Sequence, residues 1–196
     1  MNNEYDRKIA GILFTATGMG FLLIVTFLET IYPNYSTHSN TISDLLATTA
    51  STSILGEPLL FIVSILWIAG AYYLFRKSGH TKLMIFNLLP VTGLLLAVLS
   101  PENVNIVIHS IGAVLAFIPG AIVMLLAYRT IRTPFKYFSL LLGILSLLGI
   151  IVEFGFYNTA LMQQTLGSGG WERMIIYPIM IWLIGYGNYL LASGKN

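Results

Sequence analysis

Apolar stretches of about 20 residues recur along this chain, separated by short polar turns. That repetition limits the fold more than any other feature. A backbone inside hydrocarbon must satisfy its own N–H and C=O groups, so only helices and closed barrels cross a bilayer. About 20 residues, at about 1.5 Å of rise each, span a hydrocarbon core of about 30 Å. The runs predict six helices, at about 9–28, 54–75, 83–99, 106–128, 137–157 and 174–191. With only 9% charged residues and a mean hydropathy of +0.80, such a chain cannot cover itself with the polar surface a soluble domain needs, where about 25% of residues are charged. The expectation is an all-α polytopic membrane protein, one six-helix transmembrane domain over residues 1–196, with a polar loop at 29–53. The first run is full length and ends in Glu29-Thr30-Ile31-Tyr32, unlike a cleaved signal segment, so it is expected to remain.

Cations orient the bundle, because cytoplasmic loops are enriched in Lys and Arg. Arg7 and Lys8 precede the first run, and Arg76, Lys77 and Lys82 separate the second from the third. Arg129, Arg132 and Lys136 separate the fourth from the fifth, and Lys195 lies in the tail. A six-helix layout puts nine of the ten cations on one side, with Arg173 alone on the other. Both termini are therefore expected in the cytoplasm, in a multi-pass protein of the cell membrane. One helix more or fewer would scramble this division. Most acids fall on the outer half: Glu29, Asp44, Glu57, Glu102, Glu153 and Glu172, together with His38 and His109. Part of that is simply the complement of the cation pattern.

Several chemistries are excluded. The chain has no Cys, hence no disulfide framework, thiolate nucleophile or Cys-ligated metal. A net charge of +2 with dispersed basic residues does not suit nucleic acid. No P-loop, dinucleotide fingerprint, His-Glu-x-x-His or Gly-x-Ser-x-Gly occurs. His80 belongs to the cytoplasmic side, so the three histidines cannot share a zinc site, and His38, His109 and a carboxylate would be the one metal set left. The reading therefore carries no metal and no cofactor.

The candidate site lies under the longest polar passage, Pro33 to Leu46, which holds Asn40, Ser43 and Asp44 but no Lys or Arg. Ser43 or Asp44 would cap a short helix, or Asp44 would belong to a lid over the outer mouth. His109 lies about one turn into the fourth helix, on the face of Gly112, Ala116 and Gly120. Small residues four apart let helix backbones approach, so His109 should face the bundle. Glu153 shares a face with Ser139, Ser146 and Gly149 and should also point inward. Ionisable groups within a bilayer are costly and mark either function or a pinning hydrogen bond. Gly169-Gly170-Trp171-Glu172-Arg173 reads as a turn opening the sixth helix. Its bare N–H groups and Arg173 would suit an anion such as a lipid phosphate. The plainer reading has Glu172 complementing the helix dipole and Arg173 paired with Glu172 or Glu153.

Asn40-Thr41-Ile42-Ser43-Asp44-Leu45-Leu46 after the first helix, His109 early in the fourth and Gly170-Trp171-Glu172-Arg173 before the sixth resemble the prokaryotic membrane family called domain of unknown function 998. The resemblance spans nearly the whole chain. The Ile-Ser-Asp signature is also distantly similar to the Frag1/DRAM/Sfk1 group, eukaryotic six-helix proteins tied to lipid and membrane processes. The chain departs from the pattern at Leu46, where Gly often follows the Asp-Leu pair. The resemblance implies the six-helix layout and the motif residues Asn40, Ser43, Asp44, His109, Glu172 and Arg173, and it brings no assigned activity.

Three functions stay open. An outer-facing cavity lined by Asp44, His109, Glu153 and Arg173 would bind a lipid headgroup or a small polar ligand. An intramembrane enzyme of lipid metabolism would use His109 with Asp44 or Glu153 as an acid–base pair. A structural or assembly factor would have a plugged core and no ligand. The expected partners are membrane lipids, with a homo-oligomer left open. Few polar groups populate the inner half, which argues against passage of ions.

Overall fold

Residues 3–78, 81–129, 131–157 and 159–193 are described in the computed structural model. His80 and Lys195, both weighed above, lie outside the described residues. Among the described residues there are seven α-helices: α1 Asn3–Ile31, α2 Ser53–Ser78, α3 Thr81–Leu99, α4 Ile106–Ala127, α5 Phe135–Gly155, the short α6 Ala160–Gln164, and α7 Gly167–Ala192. A single 3-10 turn, Ser43–Leu46, interrupts the segment between α1 and α2. By length and composition α1, α2, α4, α5 and α7 can each cross a membrane, and α3 adds the shorter apolar run Asn87–Leu99. The architecture is that of a helical membrane protein.

The helices are apolar all round, as spans must be when one face meets protein and the other meets acyl chains. On α1, Ala10, Phe14, Phe21, Val25 and Leu28 recur three to seven residues apart and are buried, while Ile12, Met19, Leu23 and Phe27 are exposed. On α5 the buried line is Ser139, Gly143, Ser146 and Gly149, and Leu141, Ile144, Leu148 and Ile151 point outward.

Each long helix packs on its neighbour in sequence, and α7 packs back on α1, so six helices close a ring. Additional contacts between α4 and α7 cross its centre. Chain neighbours run antiparallel. Gly11 of α1 meets Gly187 of α7, and Gly18 meets Met180. Between α3 and α4 the approach is closest at Gly93, where a Cβ would stand 2.2 Å from the Ala116 backbone nitrogen. That is the small-residue packing expected of the His109 face. Buried hydroxyls add cross-links: Ser139 Oγ donates to the Met124 carbonyl (2.6 Å), Ser146 Oγ donates to the Ile175 carbonyl (3.1 Å), and Trp182 Nε1 donates to Ser139 Oγ (2.8 Å).

The start of α1 and the end of α7 share one end of the ring with the α4–α5 turn. The 32–52 segment, the 100–105 turn and the 156–166 connection gather at the other, called the loop end below. The last helix corrects the sequence reading. It begins at Gly167, not near Met174, so Gly169, Gly170, Trp171, Glu172 and Arg173 lie within its first turns instead of in a turn before it. Glycine is there because the loop presses on the helix. Gly167 has a φ of +68°, and a Cβ there would fall 2.0 Å from the His38 carbonyl oxygen. A Cβ on Gly169 would fall 2.0 Å from the Asn40 carbonyl oxygen.

Candidate functional site

The 33–46 segment is held in shape by its own polar groups. Thr41 and Asp44 bond reciprocally: the Thr41 N–H donates to Asp44 Oδ2 (2.9 Å) and the Asp44 N–H donates to Thr41 Oγ1 (3.0 Å). This is the capping-box arrangement, so Thr41 and Asp44, not Ser43, close the turn. The Asn40 amide donates to Asp44 Oδ2 (3.2 Å), and its own oxygen accepts from the Ser36 N–H (3.1 Å). The turn buries Leu45 and Leu46 and leaves Ser43 and Asp44 half-buried.

Two neighbours on α7 fasten this segment to the bundle in different directions. Arg173 donates from Nε and Nη2 to Glu29 Oε1 of α1 (3.1 and 2.7 Å). Its Nη1 reaches the carbonyls of Gly169 (2.6 Å), Asn40 (3.0 Å) and Thr37 (3.4 Å). Nη2 also donates to the Tyr35 hydroxyl, and the guanidinium carbon lies 5.5 Å from the Tyr35 ring centroid. Burial pushes the Tyr35 phenol above its ordinary pKa, with Arg173 pulling the other way. Tyr35 therefore stays a neutral donor, to the Thr41 carbonyl at 2.8 Å. Arg173 pairs with Glu29, and not with Glu172 or Glu153 as the sequence suggested.

Glu172, only 6% exposed, points the other way. Its Oε2 accepts the Ile42 N–H, and its Oε1 lies 3.1 Å from Ser43 Oγ. Ser43 Oγ is 2.9 Å from His109 Nε2. His109 Nδ1 faces the carbonyls of Ser100 (3.0 Å) and Ala97 (3.2 Å). Carbonyls only accept, so Nδ1 carries a ring hydrogen. His109 is thus buried at the start of α4, tied to α3, the loop and, through Ser43, to α7.

The hydrogen count of this chain is informative. Ser43 has one hydroxyl hydrogen and two neighbours, His109 Nε2 and Glu172 Oε1. Both contacts are complete in only two arrangements. Either Glu172 is protonated and donates to Ser43, which donates to a neutral ring, or an imidazolium donates to Ser43, which donates to a carboxylate. Each holds one proton more than a carboxylate beside a neutral ring, and each is net neutral.

These groups form one wall of a cleft of about 560 Å³ at the loop end. Asp44 and Glu102 line it from the loop and the α3–α4 turn, Ile106, Ser110, Ala113 and Phe117 from α4, and Glu153 and Phe154 from α5. Tyr157, Ser39 and Ser168 complete the rim. Its carboxylates are Asp44, Glu102, Glu153 and Glu172, and no Lys or Arg is among the described lining residues. Glu153 Oε2 is buried with no hydrogen-bond partner among the described residues. The Phe117 and Phe154 rings, with centroids 6.4 Å apart, both line the cleft. Beyond Phe117 the packing is apolar: Phe21, Trp67, Leu94, Ile179 and Met180 surround a void of only about 30 Å³.

Of the residues singled out by sequence, Ser43, Asp44, His109, Glu153 and Glu172 line this cleft. Asn40 and Arg173 do not line it and are occupied in fastening the loop. His38 does not line it either. Its carbonyl accepts the Gly169 N–H, so it does not join His109. Among the described residues no three His, Asp or Glu side chains converge as a metal-ligand set. Sequence reading missed Glu102 as a lining group, and with it the Ser110–Ala113–Phe117 line, which sits one, four and eight residues beyond His109.

Residues 10–188 match the model of a family described as a protein of unknown function, DUF998. No curated protein and no solved structure matches the chain.

Proposed function

Because the chain belongs to the DUF998 family, whose function is unknown, its role has to be read from its own cleft, and we propose that it is a cell-membrane protein holding the polar head of an amphiphile there. The observation that carries this reading is the cleft itself. It is lined both by polar groups, among them Ser43, Asp44, Glu102 and Glu153, and by the apolar Ile106, Ala113, Phe117 and Phe154, and it is roomy at about 560 Å³, within the range of ordinary ligand sites. Apolar packing beyond Phe117 supports binding over conduction. In this reading six helices span the membrane, both termini are cytoplasmic and the cleft opens on the outer face, as the grouping of Arg7, Lys8, Arg76, Arg129, Arg132 and Lys136 at the opposite end supports.

Two measurements test it. The chain lacks Cys, so a single Thr48→Cys on the exposed loop should be labelled by an impermeant maleimide added to intact cells. Labelling only after lysis would reverse the orientation. For the site, Ala113→Trp should fill the cleft. Native mass spectrometry of protein extracted with its lipids should show a bound amphiphile on the parent chain and none on the variant. Equal retention by both would remove the cleft as the site.

A second reading rests on Ser43 and His109. A hydroxyl 2.9 Å from an imidazole nitrogen whose partner nitrogen is fixed by carbonyls is a nucleophile–base geometry, which would make the protein an intramembrane enzyme acting on lipids. Against it, an oxyanion would develop beside Asp44, Glu102 and Glu153. Ser43-dependent labelling by an alkyl fluorophosphonate would favour it, and absence of labelling would set it aside.

A further inference from the structure

We infer that the head held in this cleft is an ammonium group, and that a phosphate or carboxylate head is rejected. This rests on the reading above and names its ligand class. In both arrangements that complete the two Ser43 contacts, Glu172 and His109 together are net neutral. Asp44, Glu102 and Glu153 remain, with no Lys or Arg among the described lining residues to offset them. Arg173, adjacent to Glu172 in sequence, is the one Lys or Arg among the described residues of the loop end, and it is committed to Glu29 and three loop and helix carbonyls. An anionic head would meet the carboxylates of Asp44 and Glu102 and the carboxyl of Glu153, with no Lys or Arg among the described lining residues. An ammonium would meet opposite charges, and like-charge juxtaposition is an effective means of excluding the wrong ligand.

A second observation is independent of the sign. Glu153 Oε2 is buried and lacks a hydrogen-bond partner among the described residues. A buried carboxylate oxygen calls for a donor, and an ammonium carries three N–H donors and no acceptor. Phe117, Phe154 and Tyr157 line the same space, and an ammonium placed over an aromatic ring is attracted to it. Ile106, Ser110, Ala113 and Phe117 extend the wall from the first residue of α4 to the twelfth, about 16 Å at the helical rise, which suits a single alkyl chain.

The experiment uses full-length protein in maltoside micelles, with dodecylamine, dodecyl phosphate, dodecanol and ethylamine as probes. Affinity is read by titration calorimetry, and by the thermal shift that binding to the folded state alone produces. Dodecylamine is expected to bind at least about tenfold more tightly than dodecyl phosphate or dodecanol. Glu153→Gln, and separately the rim variant Glu102→Gln, should each weaken dodecylamine by about tenfold and leave dodecanol unchanged. Ethylamine binding as tightly as dodecylamine would keep the ammonium and remove the tail, pointing to a small free amine. Dodecyl phosphate binding as tightly as dodecylamine, or dodecylamine binding unaffected in both variants, would overturn the inference while leaving the cleft as a site. Failure of every probe on a folded protein would overturn the inference together with the amphiphile reading.

Discussion

Arg173 provides the sharpest test, because the sequence invites a ligand role for it and its polar contacts in the structure run to the loop, to α1 and to its own helix. Its guanidinium donates twice to Glu29, with the two side chains only 10% and 16% exposed, and once to each of three carbonyls. Replacing it with Met removes the cation and strands the Glu29 carboxylate. Breaking a buried pair by removing one partner typically costs about 3–5 kcal/mol, most of it the penalty of the charge left behind. Glu29→Met, which strands Arg173, should cost about the same. In the double variant no uncompensated charge remains, so the loss should be close to that of one single change instead of the sum. The cycle should return a coupling of about 3 kcal/mol or more. Unfolding can be followed by fluorescence of the three Trp residues in detergent without added ligand. Arg173→Lys should fall between, since one ammonium cannot serve both the carboxylate and the spread of carbonyls. A loss below about 1 kcal/mol for Arg173→Met, or additive losses in the cycle, would show that Arg173 does not hold the loop and would return it to the list of ligand groups.

Gly169→Ala should cost about 3 kcal/mol by overpacking, because its Cβ would meet the backbone oxygens of Asn40 and Thr37 at 2.0 and 2.6 Å. Gly155→Ala, where nothing lies within 4 Å, should stay within about 0.5 kcal/mol in the same denaturation assay. Ser43→Ala removes the hydroxyl between His109 and Glu172 and should cost about 1–3 kcal/mol. Ser43→Thr, which keeps the hydroxyl, should recover most of that loss if the hydrogen bonds and not the packing are responsible. Arg7→Met should leave the purified protein as stable or make it more stable, because Arg7 is buried with both terminal nitrogens lacking a partner among the described residues. A loss above about 1 kcal/mol would mean that Arg7 has a partner.

The helices were legible because hydrocarbon imposes one length and one composition on every span, and because each added helix reverses the side on which the following cations fall. The beginning of α7 was not legible. Gly167-Ser168-Gly169-Gly170 reads as a turn by local preference, and the reason glycine stands inside a helix here lies more than 120 residues away, in carbonyls of His38 and Asn40 that leave no room for a Cβ. The five-residue α6 escaped for a related reason: it has no apolar period, only a Thr159 cap accepting the Met162 N–H. For the cleft, helical period could bring Glu153 and His109 inward. It could not place Ser43 between His109 and Glu172, since those contacts span 66 and 129 residues. Nor could it choose Glu29 from several acids as the partner of Arg173. The two adjacent α7 residues show why a motif alone misleads. Successive positions on a helix point about 100° apart, so Glu172 turns to Ser43 and the cleft wall while Arg173 turns to Glu29 and the loop carbonyls. The motif therefore marks the place where the loop is locked onto the bundle. On the proposed reading, what the cleft selects is decided by the groups that locking leaves uncommitted: Glu153 and Glu102, which sit outside the motif, and the second oxygen of Asp44, whose Oδ2 takes both of the carboxylate's bonds to the loop.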